Sequence, residues 1–140
     1  MSVSIRDVQA QELDAILAMN NAAGSGILPM NQGQIHYFWQ HADYFRVAES
    51  DDCLVGFLIA MTRDADYESS NFRWFKDHYE AFVYVDRIVI DVPDIVSVLG
   101  VAADALRDVA KQVQRNKEAW HTPTEQMPVF GTMAARFNDD

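Results

Sequence analysis

The segment Phe82-Val83-Tyr84-Val85-Asp86-Arg87-Ile88-Val89-Ile90 constrains the fold of this chain more than any other. β-branched and aromatic side chains fill it except at Asp86 and Arg87, and such a run packs best as a strand within a sheet. Two earlier segments supply partners. Tyr44 to Glu49 and Cys53 to Thr62 are strand-like, and Ser50-Asp51-Asp52 between them has turn chemistry. Together they predict an antiparallel hairpin. Val3 to Ile5 alternates with polar neighbours and predicts a first short strand.

Helical spacing fills the intervals. Leu13, Ile16, Leu17 and Met19 place an apolar stripe on a helix over Gln9 to Asn20. Asn20-Asn21-Ala22-Ala23-Gly24-Ser25-Gly26 ends it, because Asn and Gly tolerate left-handed backbone, and Pro29 reinforces the break. Ile35, Phe38 and Trp39 predict a helix over Gln32 to Ala42, and Asn71 to Tyr79 a short aromatic one. From Pro93 and Asp94 a long helix runs, with Ile95, Val98, Leu99, Ala102, Leu106, Val109, Ala110 and Val113 recurring at three and four residues. Val129 to Phe137 reads as a strand or a short helix. This order predicts an α+β (mixed α/β) fold with a central, mostly antiparallel sheet of about four to five strands flanked by helices.

At 140 residues the chain is expected to be one domain, 1–140, and its 49% hydrophobic and 23% charged content is that of a folded globular protein. The formal net charge of −10 argues against a general affinity for nucleic acid or an anionic membrane, and favours a cationic substrate such as an amine. Cys53 is the single cysteine, so no internal disulfide forms; in its apolar run it reads as a small buried or half-buried hydrophobe. His36, His41, His78 and His121 show no metal-ligand spacing, so no metal is expected. No apolar run approaches the roughly 18 residues of a membrane span, and the start lacks a signal-peptide core. A cytoplasmic protein is the expectation.

Ser4-Ile5-Arg6-Asp7 followed by Leu13-Asp14-Ala15-Ile16-Leu17, then Tyr44-Phe45-Arg46-Val47-Ala48-Glu49, Leu54-Val55-Gly56-Phe57-Leu58-Ile59-Ala60 and Val83 to Ile90, come in a telling order. With Asn20-Asn21 and Asn71-Phe72-Arg73-Trp74-Phe75, they resemble the GNAT N-acetyltransferases, in particular a bacterial subgroup of predicted acetyltransferases. The likeness covers roughly residues 3 to 115 and leaves 116–140 as a divergent tail. In that family the turn after the fourth strand reads Arg or Gln, two residues, Gly, one residue, then Gly or Ala. Its amides cradle the coenzyme A pyrophosphate before a helix N-terminus. Here Gly100, Val101 and Ala102 take the Gly-x-Gly/Ala positions. Ser97 replaces the Arg or Gln, and Asp94 to Leu99 holds no basic residue. Val98 and Leu99 hinder backbone approach, and their spacing suits continuous helix.

The resemblance implies an N-acyltransferase using acetyl-CoA as cosubstrate on the amine of a small molecule or a peptide amino group. Main-chain groups of Ile88, Val89 and Ile90 would meet the coenzyme. Asp86 would be the base, against the alternative of an ion pair with Arg87. Tyr84 and Tyr79 are phenol acids or core residues. Asn20, Asn21, Tyr67, Asn71 and Trp74 would line the acceptor pocket; the plainer reading makes the asparagines a helix cap and Trp74 a packing anchor. The tail after Arg115 is too short for all the usual later elements, so a partner subunit, as in a homodimer, would complete the sheet unless residues 126–137 supply a short strand. The alternative function is a non-catalytic, GNAT-derived binding or interaction protein that has lost coenzyme A binding.

Overall fold

The computed structural model describes residues 3–24, 27–67, 69–92, 95–116 and 129–131. Along the chain come β1 (Ser4–Asp7), a 3₁₀ turn (Ala10–Glu12), α1 (Leu13–Asn21), α2 (Gln32–His41), β2 (Tyr44–Ser50), β3 (Cys53–Thr62), α3 (Ser70–His78), β4 (Val83–Ile90), α4 (Ile95–Asn116) and β5 (Val129–Gly131). The sheet order is β1-β2-β3-β4-β5. β1 through β4 are antiparallel to their neighbours, and β5 lies parallel to β4. The fold is therefore α+β, with a mostly antiparallel sheet. A parallel pair needs a crossover, and α4 lies within it. Within the tail, Val129–Gly131 is a strand; 117–128 and 132–140 lie outside the described residues, as do Ser25, Gly26, Pro93, Asp94 and His121.

The predicted hairpin forms, with Ser50 opposite Cys53. Its loop residues Asp51 and Asp52 have φ of 53° and 64°, the left-handed pair that a tight hairpin loop requires. Cys53 corrects its expectation: it is exposed, because it stands at the turn end of β3, where packing has not yet begun. From Gly56 onward β3 is buried, and β4 is buried from Val83 to Val89.

Two layers cover β4. Tyr84 packs against Phe72 and Phe75 of α3 on one face. Ile88 and Ile90 share a small apolar space with Val101 and Ala105 of α4 on the other. Tyr84 and Ile88 lie four positions apart, so an unbroken strand would turn both to the same side. The register explains the difference. Ile59 pairs with Arg87, but Ala60 pairs with Val85, which leaves Asp86 as an extra residue, a β-bulge. Asp86 and Arg87 thereby come to share the face covered by α1, α2 and α3.

At Gly56 the backbone of β4 lies where a side chain on β3 would stand. A Cβ there would lie 2.6 Å from the carbonyl oxygen of Val89. The amide of Asp91 donates to the carbonyl of Val55 at 2.7 Å. By strand alternation the main-chain groups of Val89 also face β3, and those of Ile88 and Ile90 face the opposite edge. β5 pairs with β4 at Val83, Tyr84 and Val85. Beyond Val85, that edge of β4 has no strand partner among the described residues.

Candidate functional site

The bulge gathers a buried polar network. Asn20, Asp86 and Arg87 are 1%, 7% and 8% exposed. Arg87 Nε donates to Asp86 Oδ2 at 2.8 Å, and the Tyr67 hydroxyl donates to Asp86 Oδ1. Arg87 Nη1 donates to Asn20 Oδ1 at 2.9 Å and to the Leu28 carbonyl at 3.0 Å, with the guanidinium 5.6 Å from the centre of the Phe38 ring. Asn20 Nδ2 donates to the same carbonyl at 3.1 Å and to Asn21 Oδ1 at 3.0 Å. Asn21 completes the set. Its Oδ1 accepts from the Met30 amide at 2.9 Å, and its Nδ2 donates to the Met30 carbonyl at 3.1 Å. Among the described residues no buried side-chain nitrogen or oxygen lacks a partner.

Asn20, Asn21, Tyr67 and Asp86 are thus brought together, joined by Arg87. The asparagines do not cap their own helix in the simple way. They tie the segment around Leu28 and Met30 to the end of α1. Asp86 takes the ion pair with Arg87 that was its structural alternative, and both its oxygens accept hydrogen bonds. The reach of Arg87 to Asn20 and Leu28 was missed by sequence reasoning. The available signal was an acid-base pair inside an otherwise apolar strand.

Tyr67 titrates above the ordinary phenol range, first because it is buried and then because the Asp86 charge lies beside it. A raised folded value means that the folded state keeps its proton where the unfolded chain has lost it. The contribution is complete below the ordinary phenol pKa of about 10 and is lost as pH rises above it. Urea midpoints are therefore expected to fall above about pH 10, and to fall less steeply in Tyr67→Phe. Equal slopes in the two proteins would refute the coupling.

Asn71 and Trp74 stand apart from this cluster. α3 buries Phe72, which turns Asn71 and Trp74 to the exposed side. Trp74 stacks on His78 with ring centres 4.0 Å apart, and with Ser70, Arg73 and Asp77 it lines a separate depression of about 500 Å³. Tyr84 is buried in an aromatic cluster with Tyr67, Phe72 and Phe75. Tyr79 packs on Phe75 and Trp74 at the end of α3.

Gly100, Val101 and Ala102 require a correction. They do not form an open loop. α4 begins at Ile95, so their amides already belong to the helical ladder, and Val101 and Ala102 face the sheet with Val98, Ala105 and Val109. The apolar spacing of Val98 and Leu99 outweighs the Gly-x-Ala pattern. A Cβ on Gly100 would meet nothing within 4 Å. Gly100→Ala is accordingly expected to stabilise the chain by up to about 1 kcal/mol through helix propensity, read as a rise in urea midpoint. Loss of stability would show that Gly100 is held in a non-helical conformation.

Among the described residues, no group of three or more His, Cys, Asp or Glu is placed to hold a metal ion, and no helix is long and apolar enough to cross a membrane. No protein-family model matches the chain. The curated relatives include fused isobutyryl-CoA mutases. That of Cupriavidus metallidurans is 72% identical over 39 residues, 28% of this chain and 4% of that protein. That of Paraburkholderia xenovorans is 69% identical over 39 residues, and that of Nocardia farcinica 47% identical over 58 residues, 36% of this chain and 5% of that protein. The chain thus spans a few per cent of the length of these relatives. Among solved structures, a point mutant of TTHA1254 from Thermus thermophilus superposes with a TM-score of 0.46 at 18% identity, covering 88% of this chain and 78% of that one. That score is too low to carry an argument.

Proposed function

We propose that the chain is a GNAT-type N-acyltransferase that moves an acetyl group from acetyl-CoA to the amine of a small molecule or peptide. The observation that carries this reading is the stretch of β4 after the Asp86 bulge, whose outer edge has no strand partner among the described residues. There the main-chain groups of Ile88 and Ile90 face the edge away from β3, beside a parallel β5 that pairs only as far as Val85 among the described residues. An extended, amide-bearing arm such as pantetheine finds donors and acceptors on such an edge. The pyrophosphate would then be received at the start of α4, where first-turn amides have no acceptor within the helix, rather than at Gly100.

An apolar wall supports the same reading. The Tyr44 hydroxyl donates to Asp108 Oδ2 at 2.7 Å and Arg46 Nη1 approaches it at 3.4 Å, which fixes that side of α4 over β2. At about 100° per residue, Leu99 stands on the opposite side of α4 from Asp108, the side toward β5. Val96, Leu99 and Leu106 are 77%, 55% and 40% exposed. In the reaction the amine nitrogen bonds to the thioester carbonyl carbon, the C–S bond breaks, and the thiolate leaves. Asp86 accepts the proton that the amine loses, directly or through water, and its bond from Tyr67 has to yield first.

Calorimetric titration with acetyl-CoA is expected to show saturable binding, followed by amine acetylation that Asp86→Asn abolishes. Absence of binding up to millimolar coenzyme would sink the proposal. A second reading, the non-catalytic binding protein that has lost coenzyme A binding, is favoured by the doubly occupied Asp86 and the helical Gly100; absence of both coenzyme binding and turnover would select it. The mutase reaction named for the curated relatives is not proposed, because the shared stretch is 4% of the Cupriavidus protein.

A further inference from the structure

A concave surface of about 430 Å³ opens beside Tyr67, walled by Tyr37 of α2 and by Asp66, Tyr67 and Ser69 of the segment between β3 and α3. That volume suits a small organic molecule. Its chemistry is one-sided: two phenol rings and a carboxylate line it, and no basic side chain among the described residues does. The walls are held in place. The Phe38 ring contacts both, with centres 5.9 Å from Tyr37 and 5.6 Å from Tyr67. Phe72 backs Tyr67 at 5.6 Å, and the hydroxyl of Tyr67 is pinned on Asp86. Asp66 is exposed and engages no described hydrogen-bond or ion-pair partner.

We propose that this cavity binds an organic ammonium ion, a primary or secondary amine with an apolar group, whose charge rests at Asp66 and whose apolar part lies against the rings of Tyr37 and Tyr67. Ring faces and a carboxylate both attract cations, and two rings already fixed in place lose little freedom when the ligand arrives. The formal net charge of −10 raises the local concentration of such ions. Naming this ligand as the acyl acceptor rests on the acyltransferase reading; the binding itself does not.

The test uses the full chain, with and without saturating acetyl-CoA, and two probes of nearly equal shape, benzylamine and benzyl alcohol. Benzylamine is expected to bind about tenfold more tightly than the alcohol, Asp66→Asn to remove about that advantage, and Tyr37→Leu to weaken both probes. Asp66 is exposed, so its replacement leaves the fold intact. Equal affinity for the two probes, an unaffected Asp66→Asn protein, or no benzylamine binding under either condition would overturn the proposal. Acetyl-CoA binding without amine binding defeats this inference and leaves the acyltransferase reading standing. Amine binding without acetyl-CoA binding does the reverse.

Discussion

Arg87→Met is expected to cost about 3 to 5 kcal/mol, read from the urea unfolding midpoint. The substitution removes a buried cation and leaves the Asp86 carboxylate buried opposite an apolar chain. It also strips a donor from Asn20 Oδ1 and one of two donors from the Leu28 carbonyl. A domain of this size has a total stability of only about 5–15 kcal/mol, so much of the population would unfold at physiological temperature. Two companions separate charge from geometry. Arg87→Lys keeps the cation but not the fork that reaches Asp86, Asn20 and Leu28 at once, and it is expected to recover only part of the loss. Asp86→Leu with Arg87→Met removes both charges and is expected to be more stable than Arg87→Met alone, since the penalty of the single variant lies mainly in the stranded carboxylate. A cost below about 1 kcal/mol for Arg87→Met would mean that water reaches the pair and that the network does not hold the segment at Leu28.

Gly56→Ala is expected to destabilise by about 1–3 kcal/mol, and Gly56→Val by more. The added Cβ would stand 2.6 Å from the Val89 carbonyl oxygen and 3.3 Å from the Ile90 Cα, both backbone atoms of β4. A flexible side chain would swing away from such a contact, whereas a paired strand has to shift. The shift would fall on the stretch whose outer edge is the proposed coenzyme seat, so loss of acetyl-CoA affinity is expected to accompany the loss of stability. The contrast with Gly100→Ala, expected to stabilise, makes the pair a sharp experiment: the same chemical change at two glycines, opposite signs. Unchanged stability in Gly56→Ala would show that β3 and β4 are farther apart in solution.

The strands and helices were legible because their signals are local. Val83 to Ile90 could hardly be anything but a buried strand, and the stripe from Val98 to Val109 gives α4 its packed face. What was illegible depends on how two segments meet. Strand period alone puts Asp86 and Arg87 on opposite faces; the bulge that unites them is an event in the β3–β4 register, unmarked in either segment. The same holds for Tyr67, whose partnership with Asp86 joins a loop to a strand 19 residues away. At Gly100 a short motif competed with a long periodicity. The periodicity prevailed because a helix gains a hydrogen bond per residue, whereas a loop has to be held open by a ligand. Cys53 was misread because its apolar neighbours say nothing of its distance from the turn.

The extra residue at Asp86 gives β4 something like a reading frame. Upstream, even-numbered side chains meet α3; downstream, even-numbered side chains meet α4. Deleting that one residue would restore plain alternation and leave Ile88, Val89 and Ile90 on the faces they now occupy. The extra residue thus serves the buried pair alone: it lets two consecutive side chains, Asp86 and Arg87, sit on one face. A one-residue slip of the strand on either side of the bulge, by contrast, would exchange the faces of every residue it carried.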